Sequence, residues 1–169
     1  NYRNPRILSN KAATIANIPK PKTARTFPST PKFYPIEREE KSSIEKELNK
    51  IVKEFNDKGV KPSEINILTP KSLNKSVLST IDKINEKKLV KLIDRKWDFK
   101  EQDIFFWSTV SSFKGLENEY IILTECDDFI ESDWYKSILY VALTRVKTQF
   151  IFLGRNESQA YKLLRNQRQ

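Results

Sequence analysis

The sequence predicts a three-layer α/β domain with a mostly parallel sheet. Two features point there: short apolar runs of the kind found in buried strands, and segments of helical periodicity lying between them. Strands joined through helices need crossover connections, and crossovers build parallel sheets with helices on both faces. With 169 residues, 38% of them hydrophobic, the chain has the size of one domain and enough apolar material to bury a core.

The elements follow in chain order. Residues 5–17, PRILSNKAATIAN, read as a short helix with Pro5 near its start, where a missing N–H does no harm. Residues 18–35 form a Pro- and Lys-rich stretch that cannot hold a helix; it reads as a loop or short insert within the single domain 1–169, with an edge strand near Phe33 and Tyr34. Ser42 and Glu45 have the spacing of a capping box, and Ile44, Leu48, Ile51, Val52 and Phe55 follow at helical spacing until the pattern stops at Gly59. INILTP, residues 65–70, reads as a buried strand stopped by Pro70, and the next segment has helical spacing at Leu73, Val77, Leu78 and Ile81. Residues 89–100 fit neither pattern. IFFWSTV from 104 and YIILTE at 120–125 read as strands, DWYKSILYVALTRVK as a helix and QFIFLG at 149–154 as a strand.

Composition removes several functional classes. The chain has no histidine and a single cysteine, Cys126, so an internal disulfide, a His-bearing zinc site and a His-based catalytic triad are excluded. No apolar run approaches the roughly 20 residues of a membrane helix, and the first residues lack the order of a secretory signal, which predicts a soluble, cytoplasmic protein with no membrane partner. The absence of an initiator Met suggests a piece of a longer protein. Lys and Arg number 31 against 22 acidic residues, and Arg3, Arg6, Lys11, Lys20, Lys22, Arg25 and Lys32 all precede the first acidic residue, Glu37. Such an excess suits a polyanionic partner, although a lysine-rich solvated surface accounts for it equally well.

Ligands of open parallel sheets bind beyond the carboxyl ends of the strands, which directs attention to TVSSFKGLE after the strand at 104–110 and to TECDD after 123. Gly115 allows a tight or positive-φ backbone on which amides face an anion, or is an ordinary turn glycine. Arg145 follows Trp134 by eleven residues and shares a helical face with Ile138, Val141 and Ala142. A guanidinium there snorkels outward, pairs with a buried carboxylate, or enters a cleft at the helix end and meets phosphate. Tyr2 beside Arg3 is a pair suited to stacking on a base while reaching phosphate, or an exposed chain terminus.

In their order and spacing, NYR at 1–3, TVSSFKGLE at 109–117 and LYVALTR at 139–145 resemble motifs IV, V and VI of the superfamily 1 helicases, most closely the UvrD-like group. The resemblance covers both ends of the chain and implies the second, C-terminal RecA-like domain of a motor, which closes on ATP and Mg²⁺ held by an N-terminal RecA-like domain of the same protein. It implies that Tyr2 stacks on adenine, Arg3 and Arg145 contact the γ-phosphate, Glu117 accepts from the ribose hydroxyl and Gly115 admits the backbone. Arg145 then acts as an arginine finger, and Arg145 and Arg3 are the catalytic residues. The start of motif V touches the single strand in this family, so Thr109, Ser111, Ser112 and Lys114 are the nucleic-acid candidates, with Gly115 dividing a DNA side from a nucleotide side.

The sequence also departs from the family pattern. Ser111 stands where histidine is usual, Asn4 where Ser or Thr is usual, and Val146 where alanine is common. The large domain that UvrD-like enzymes insert between motifs IV and V is absent or reduced to residues 18–35. No G-x-x-x-x-G-K-[ST] occurs, since Gly59, Gly115 and Gly154 are widely separated, so the chain alone is expected neither to bind ATP tightly nor to hydrolyse it. The preferred expectation is a DNA helicase or translocase domain acting on single-stranded or duplex DNA. The alternatives are an RNA-directed superfamily 1 helicase and a basic nucleic-acid-binding module without motor activity.

Overall fold

The computed structural model describes residues 5–21, 29–92, 103–128, 130 and 132–165. Tyr2, Arg3, much of the Pro/Lys-rich segment and most of the ambiguous stretch 89–100 lie outside them. Within them the fold is α/β with a three-layer, RecA-like arrangement. The strands are β1 (Lys32–Pro35), β2 (Ile65–Thr69), β3 (Lys83–Ile84), β4 (Lys87–Lys91), β5 (Phe105–Thr109), β6 (Asn118–Thr124) and β7 (Val146–Gly154). They lie in the order β1-β7-β6-β2-β5-β4-β3, and every neighbouring pair is parallel except β3 with β4.

The helices are α1 (Arg6–Ile15), α2 (Lys41–Asn56), α3 (Asp133–Thr144) and α4 (Gln159–Arg165). Alternation along the central strands sends successive side chains to opposite faces. Leu68, Phe106, Ile121, Leu123, Phe150 and Phe152 meet Leu8 and Ala12 of α1, Ile138, Leu139 and Ala142 of α3, and Leu164 of α4. Ile65, Ile67, Phe105, Trp107, Ile122, Ile151 and Leu153 meet Ile44, Leu48, Ile51, Val52 and Phe55 of α2. Each such fully buried large side chain contributes roughly 1.5–3 kcal/mol. Cys126 is buried as well. Among the described residues no helix is long and apolar enough to cross a membrane.

Several expected elements stand as read. Pro5 is the N-cap of α1, β1 is the edge strand at Phe33 and Tyr34, and Pro70 follows the fully buried β2. Gly59, with φ +78°, closes the turn after α2. Others differ. Helix α2 begins at Lys41, one residue before Ser42, with Glu40 as N-cap, so Ser42 is helical and the capping box does not form; its hydroxyl donates instead to Glu40 Oε1 at 3.2 Å.

The helical spacing of Leu73 to Ile81 yields only a 3₁₀ turn over Val77–Thr80, followed by a hairpin. Local polar groups decide this. Ser76 Oγ accepts from the Leu78 N–H and donates to Glu125, whose carboxylate also accepts from the Val77 N–H at 2.9 Å. Asn85 and Glu86, at φ 45° and 65°, make the two-residue loop whose twist suits a hairpin, and Asn85 is tied to Asn49 of α2 through its N–H and its side-chain amide. Ile81 and Ile84 still reach the α2 core, which satisfies their apolar spacing without a helix.

Candidate functional site

Strand order separates the candidate residues into two groups. Strand β2 lies between β5 and β6, so residues 110–117 must pass over β2 to connect parallel strands. They do so as successive turns: the Phe113 N–H donates to Thr109 O, Lys114 N–H to Ser111 O and Leu116 N–H to Phe113 O. Val110 and Phe113, both fully buried, pin the crossing to the α1/α3/α4 face. Gly115 follows with φ +94°, a conformation L side chains rarely adopt, so its role as a positive-φ turn glycine is met. The expectation that KGLE sits beyond the carboxyl ends of the strands is corrected here. Only Thr109 to Ser112 remain at that edge, because the crossing carries Glu117 to the amino end of β6.

At that amino edge Glu117 precedes Asn118, and Arg145 precedes Val146, the residue paired with Asn118. The Asn118 N–H donates to Arg145 O at 3.1 Å, so backbone pairing itself brings KGLE and VALTR together. Asn118 is also the hub of a buried polar network. Its Nδ2 donates to Asn66 Oδ1 at 2.6 Å and to Ser63 O at 2.9 Å, while its Oδ1 accepts from the Glu119 N–H at 2.8 Å. Sequence reasoning passed over Asn118, whose only signal is a polar residue opening an apolar run.

Arg145 is not on the packing stripe of its helix. Helix α3 ends at Thr144 and Arg145 is the C-cap, so its side chain leaves from a helix end rather than from the buried face. It is half-buried, and its Nε is buried without a hydrogen-bond partner among the described residues. A donor left in this condition normally costs free energy unless a ligand or another group accepts from it.

The opposite, carboxyl edge holds a groove of about 770 Å³ lined by Lys71, Ser72 and Lys75 after β2, by Thr109, Ser111 and Ser112 after β5, and by Asp128 and Trp134. Thr109 Oγ1 donates to Ser112 Oγ at 2.8 Å and accepts from the Ser112 N–H at 3.1 Å, which sets the three hydroxyl residues on one compact turn. The structure thus brings together three of the nucleic-acid candidates. Lys114 is exposed on the following turn and is not part of the groove wall. Lys71, Ser72, Lys75 and Trp134 were missed because they come from segments distant in sequence, although the carboxyl-end rule applied to Pro70 would have pointed to TPKS.

Behind the groove lies the charged cluster that TECDD announces. Glu39, nearly fully buried, accepts from the N–H groups of Cys126 at 2.5 Å and Asp127 at 3.1 Å and lies 3.9 Å from the Lys71 ammonium. Burial pushes its carboxyl up to about 8, and these N–H groups and Lys71 only partly oppose that shift. Burial disfavours charge on Lys71 too, but Asp128 at 3.0 Å, Glu39 and Glu125 outweigh it and hold the ammonium above its usual range. Burial likewise raises Asp127, against the pull of Arg155 at 3.6 Å. The Cys126 thiol is pushed well up by burial, with Glu39 adding to the effect. Among the described residues no group of three such side chains converges to hold a metal ion.

No protein-family profile matches the chain, and no curated protein matches it. Among solved structures the fold is similar to the crystal structure of the C-terminal domain of a possible DNA helicase from Lactobacillus plantarum WCFS1, with a TM-score of 0.65 at 13% identity over 97% of this chain and 92% of that one. At this identity the likeness concerns the fold.

Proposed function

We propose that this chain is the second motor domain of an ATP-driven superfamily 1 helicase or translocase of the UvrD-like group. The observation that carries the proposal is the pairing of Asn118 with Val146, which sets Glu117 and Arg145 side by side at the amino ends of two adjacent strands. Two segments that resemble motifs V and VI thereby form one edge of a fold shared with the C-terminal domain of a possible DNA helicase.

In this reading that edge is half of an ATP site whose other half, with the P-loop and the Mg²⁺-holding acid, belongs to an N-terminal RecA-like domain. ATP with Mg²⁺ supplies the phosphoryl group and its charge neutralisation. Arg145 meets the γ-phosphate; its buried Nε, without a hydrogen-bond partner among the described residues, fits an anionic ligand. Arg3 is the second phosphate contact and Tyr2 the adenine platform, on the resemblance of NYR. Glu117 accepts from the ribose, and the positive φ of Gly115 shapes the turn that presents it. Asn118 is a positioning residue that fixes the relative place of Glu117 and Arg145. Nucleic acid lies at the carboxyl edge along Thr109, Ser111 and Ser112, with Lys114 nearby, and hydroxyl contacts of this kind position a strand without reading its sequence. The chain alone lacks the P-loop and turns over no ATP.

The test is ATP turnover by the longer protein that the proposal requires, with and without single-stranded DNA or RNA. Arg145→Ala is expected to lower strand-stimulated turnover by about 10³-fold or more, as for loss of an arginine finger. Turnover that is unchanged by the substitution, or absent from the unaltered protein under all strands, contradicts the proposal. The polymer that stimulates turnover decides between the DNA and RNA branches.

A further inference from the structure

We infer that Glu125 is a positioning residue for the carboxyl-edge groove: its side chain holds the turn that presents Ser72 and Lys75 to the phosphates of a strand, an inference that rests on the nucleic-acid reading of that groove. Among the described residues the non-glycine positions with positive φ are Asn17, Asn85, Glu86 and Glu125. The first three are exposed, whereas Glu125, at φ 62°, is fully buried. A left-handed backbone is unfavourable for any residue with a Cβ, and burying a carboxyl group adds to the cost. Glycine meets that backbone requirement freely, so the reason for a glutamate here lies in what its side chain does.

Both of its carboxylate oxygens are engaged by one short segment. Oε2 accepts from the Ser76 hydroxyl, and Oε1 from the Val77 N–H at 2.9 Å. Ser76 closes the turn before it: its N–H donates to Ser72 O at 3.1 Å, beside the Lys75 N–H donating to the same oxygen at 3.0 Å. The Ser76 Oγ also accepts from the Leu78 N–H at 3.2 Å, and its carbonyl accepts from the Ser79 hydroxyl at 2.7 Å. Lys75, one residue before this clamp, is exposed and lines the groove together with Ser72.

The other end of the turn is held from the same exit of β6. The Cys126 and Asp127 N–H groups hold Glu39, which lies beside Lys71, and Asp128 pairs with Lys71 at 3.0 Å. Residues 125–128 therefore grip the turn after β2 at both ends, with Ser72 and Lys75 between them. Strand pairing does not supply this order, because β2 ends at Thr69 and β6 at Thr124. A contact fixed in advance loses less freedom on binding, which favours phosphate recognition by a lysine and a serine on one turn. An acidic group near a polyanion opposes binding by charge, so positioning and charge predict opposite effects for its removal.

The experiment is equilibrium binding of the full chain to oligothymidylate at low salt, with urea unfolding to confirm that each variant is folded under the binding conditions. Glu125→Gly accepts the backbone conformation and removes the clamp; it is expected to weaken binding by roughly 3- to 10-fold, as for one displaced phosphate contact. Glu125→Gln keeps an oxygen for the Val77 N–H and a polar partner for Ser76, and is expected to stay within about 2-fold of the unaltered chain. Ser76→Ala opens the clamp from its other side and weakens binding in the same direction, which tests the inference even where Glu125→Gly is too unstable to measure. Lys75→Ala weakens binding and lowers the salt dependence by about one unit of slope. In the double-mutant cycle, Glu125→Gly has little further effect once Lys75 is alanine, because the contact it positions is gone. Unchanged or tighter binding by Glu125→Gly or Ser76→Ala, a Glu125→Gln loss equal to that of Glu125→Gly, or losses that add in the cycle overturn the inference, while the Lys75 effect keeps the groove reading intact. If the unaltered chain does not bind the strand, or Lys75→Ala leaves binding unchanged, the groove reading falls and the inference with it.

Discussion

The two edges of the sheet are built on different principles. At the amino edge the candidate residues are placed by backbone: the strand pair beginning at Asn118 and Val146 fixes Glu117 against Arg145, and one buried amide side chain locks that pair to Ser63 and Asn66. At the carboxyl edge placement is by side chains from loops after β2, β5 and β6, held by ion pairs and short hydroxyl bonds. A backbone-built edge is stiff, as the proposed nucleotide contact requires; a loop-built edge is more adaptable, as the proposed strand contact requires. The crossing at 110–117 joins the two, so a disturbance of its anchor reaches both.

That anchor offers the largest test. Phe113 is fully buried among the α1/α3/α4 side chains, and Phe113→Ala is expected to cost about 3–5 kcal/mol in urea unfolding through lost burial and the cavity left behind. If the crossing is merely a surface loop, the loss will stay below about 1 kcal/mol. Asn118→Ala comes next. It strands Ser63 O and Asn66 Oδ1 in the interior, a loss of roughly 1–3 kcal/mol, and it should lower strand-stimulated ATP turnover of the longer protein without changing strand affinity. A change in strand affinity as large as the change in turnover would dissolve the division between the edges. Gly115→Ala forces a side chain to φ +94° and is expected to cost about 1–2 kcal/mol by the same unfolding measurement.

What the sequence revealed divides along the same line. Strands β2, β5, β6 and β7 and helices α2 and α3 were readable because burial alone sets their periodicity. The β3–β4 hairpin was not, since Leu73, Val77, Leu78 and Ile81 mimic a helix while Ser76, Glu125 and Asn85 settle the backbone through bonds to residues far away in sequence. Residues 159–165 gave no advance signal of α4, which is short and has only Ala160 and Leu164 buried. The identities of Gly115, Glu117 and Arg145 were readable from their segments, but their location was not, because it depends on β2 lying between β5 and β6. The groove depends on the same strand order, and two of its contributors, Lys75 and Trp134, carry no local pattern at all.

The smallest effect concerns Glu39, and it sharpens the comparison because a side-chain-built edge should respond to pH where a backbone-built one does not. The unfolded carboxyl titrates near 4.3–4.5, whereas burial raises the folded one to about 8. Between these values the folded chain holds a proton that the unfolded chain has released, so the Glu39 contribution is fully favourable below pH 4.5 and is lost as pH rises through 8. Glu39→Gln does not titrate. The stability of the natural chain relative to Glu39→Gln is therefore expected to fall between pH 5 and about 8 and to level off above it, as read from paired urea unfolding curves. The two N–H donors and Lys71 argue for the reverse: were they to dominate, the carboxylate would be at home as an anion and the relative stability would rise over the same range. The sign of that slope decides whether burial or hydrogen bonding governs the base of the groove.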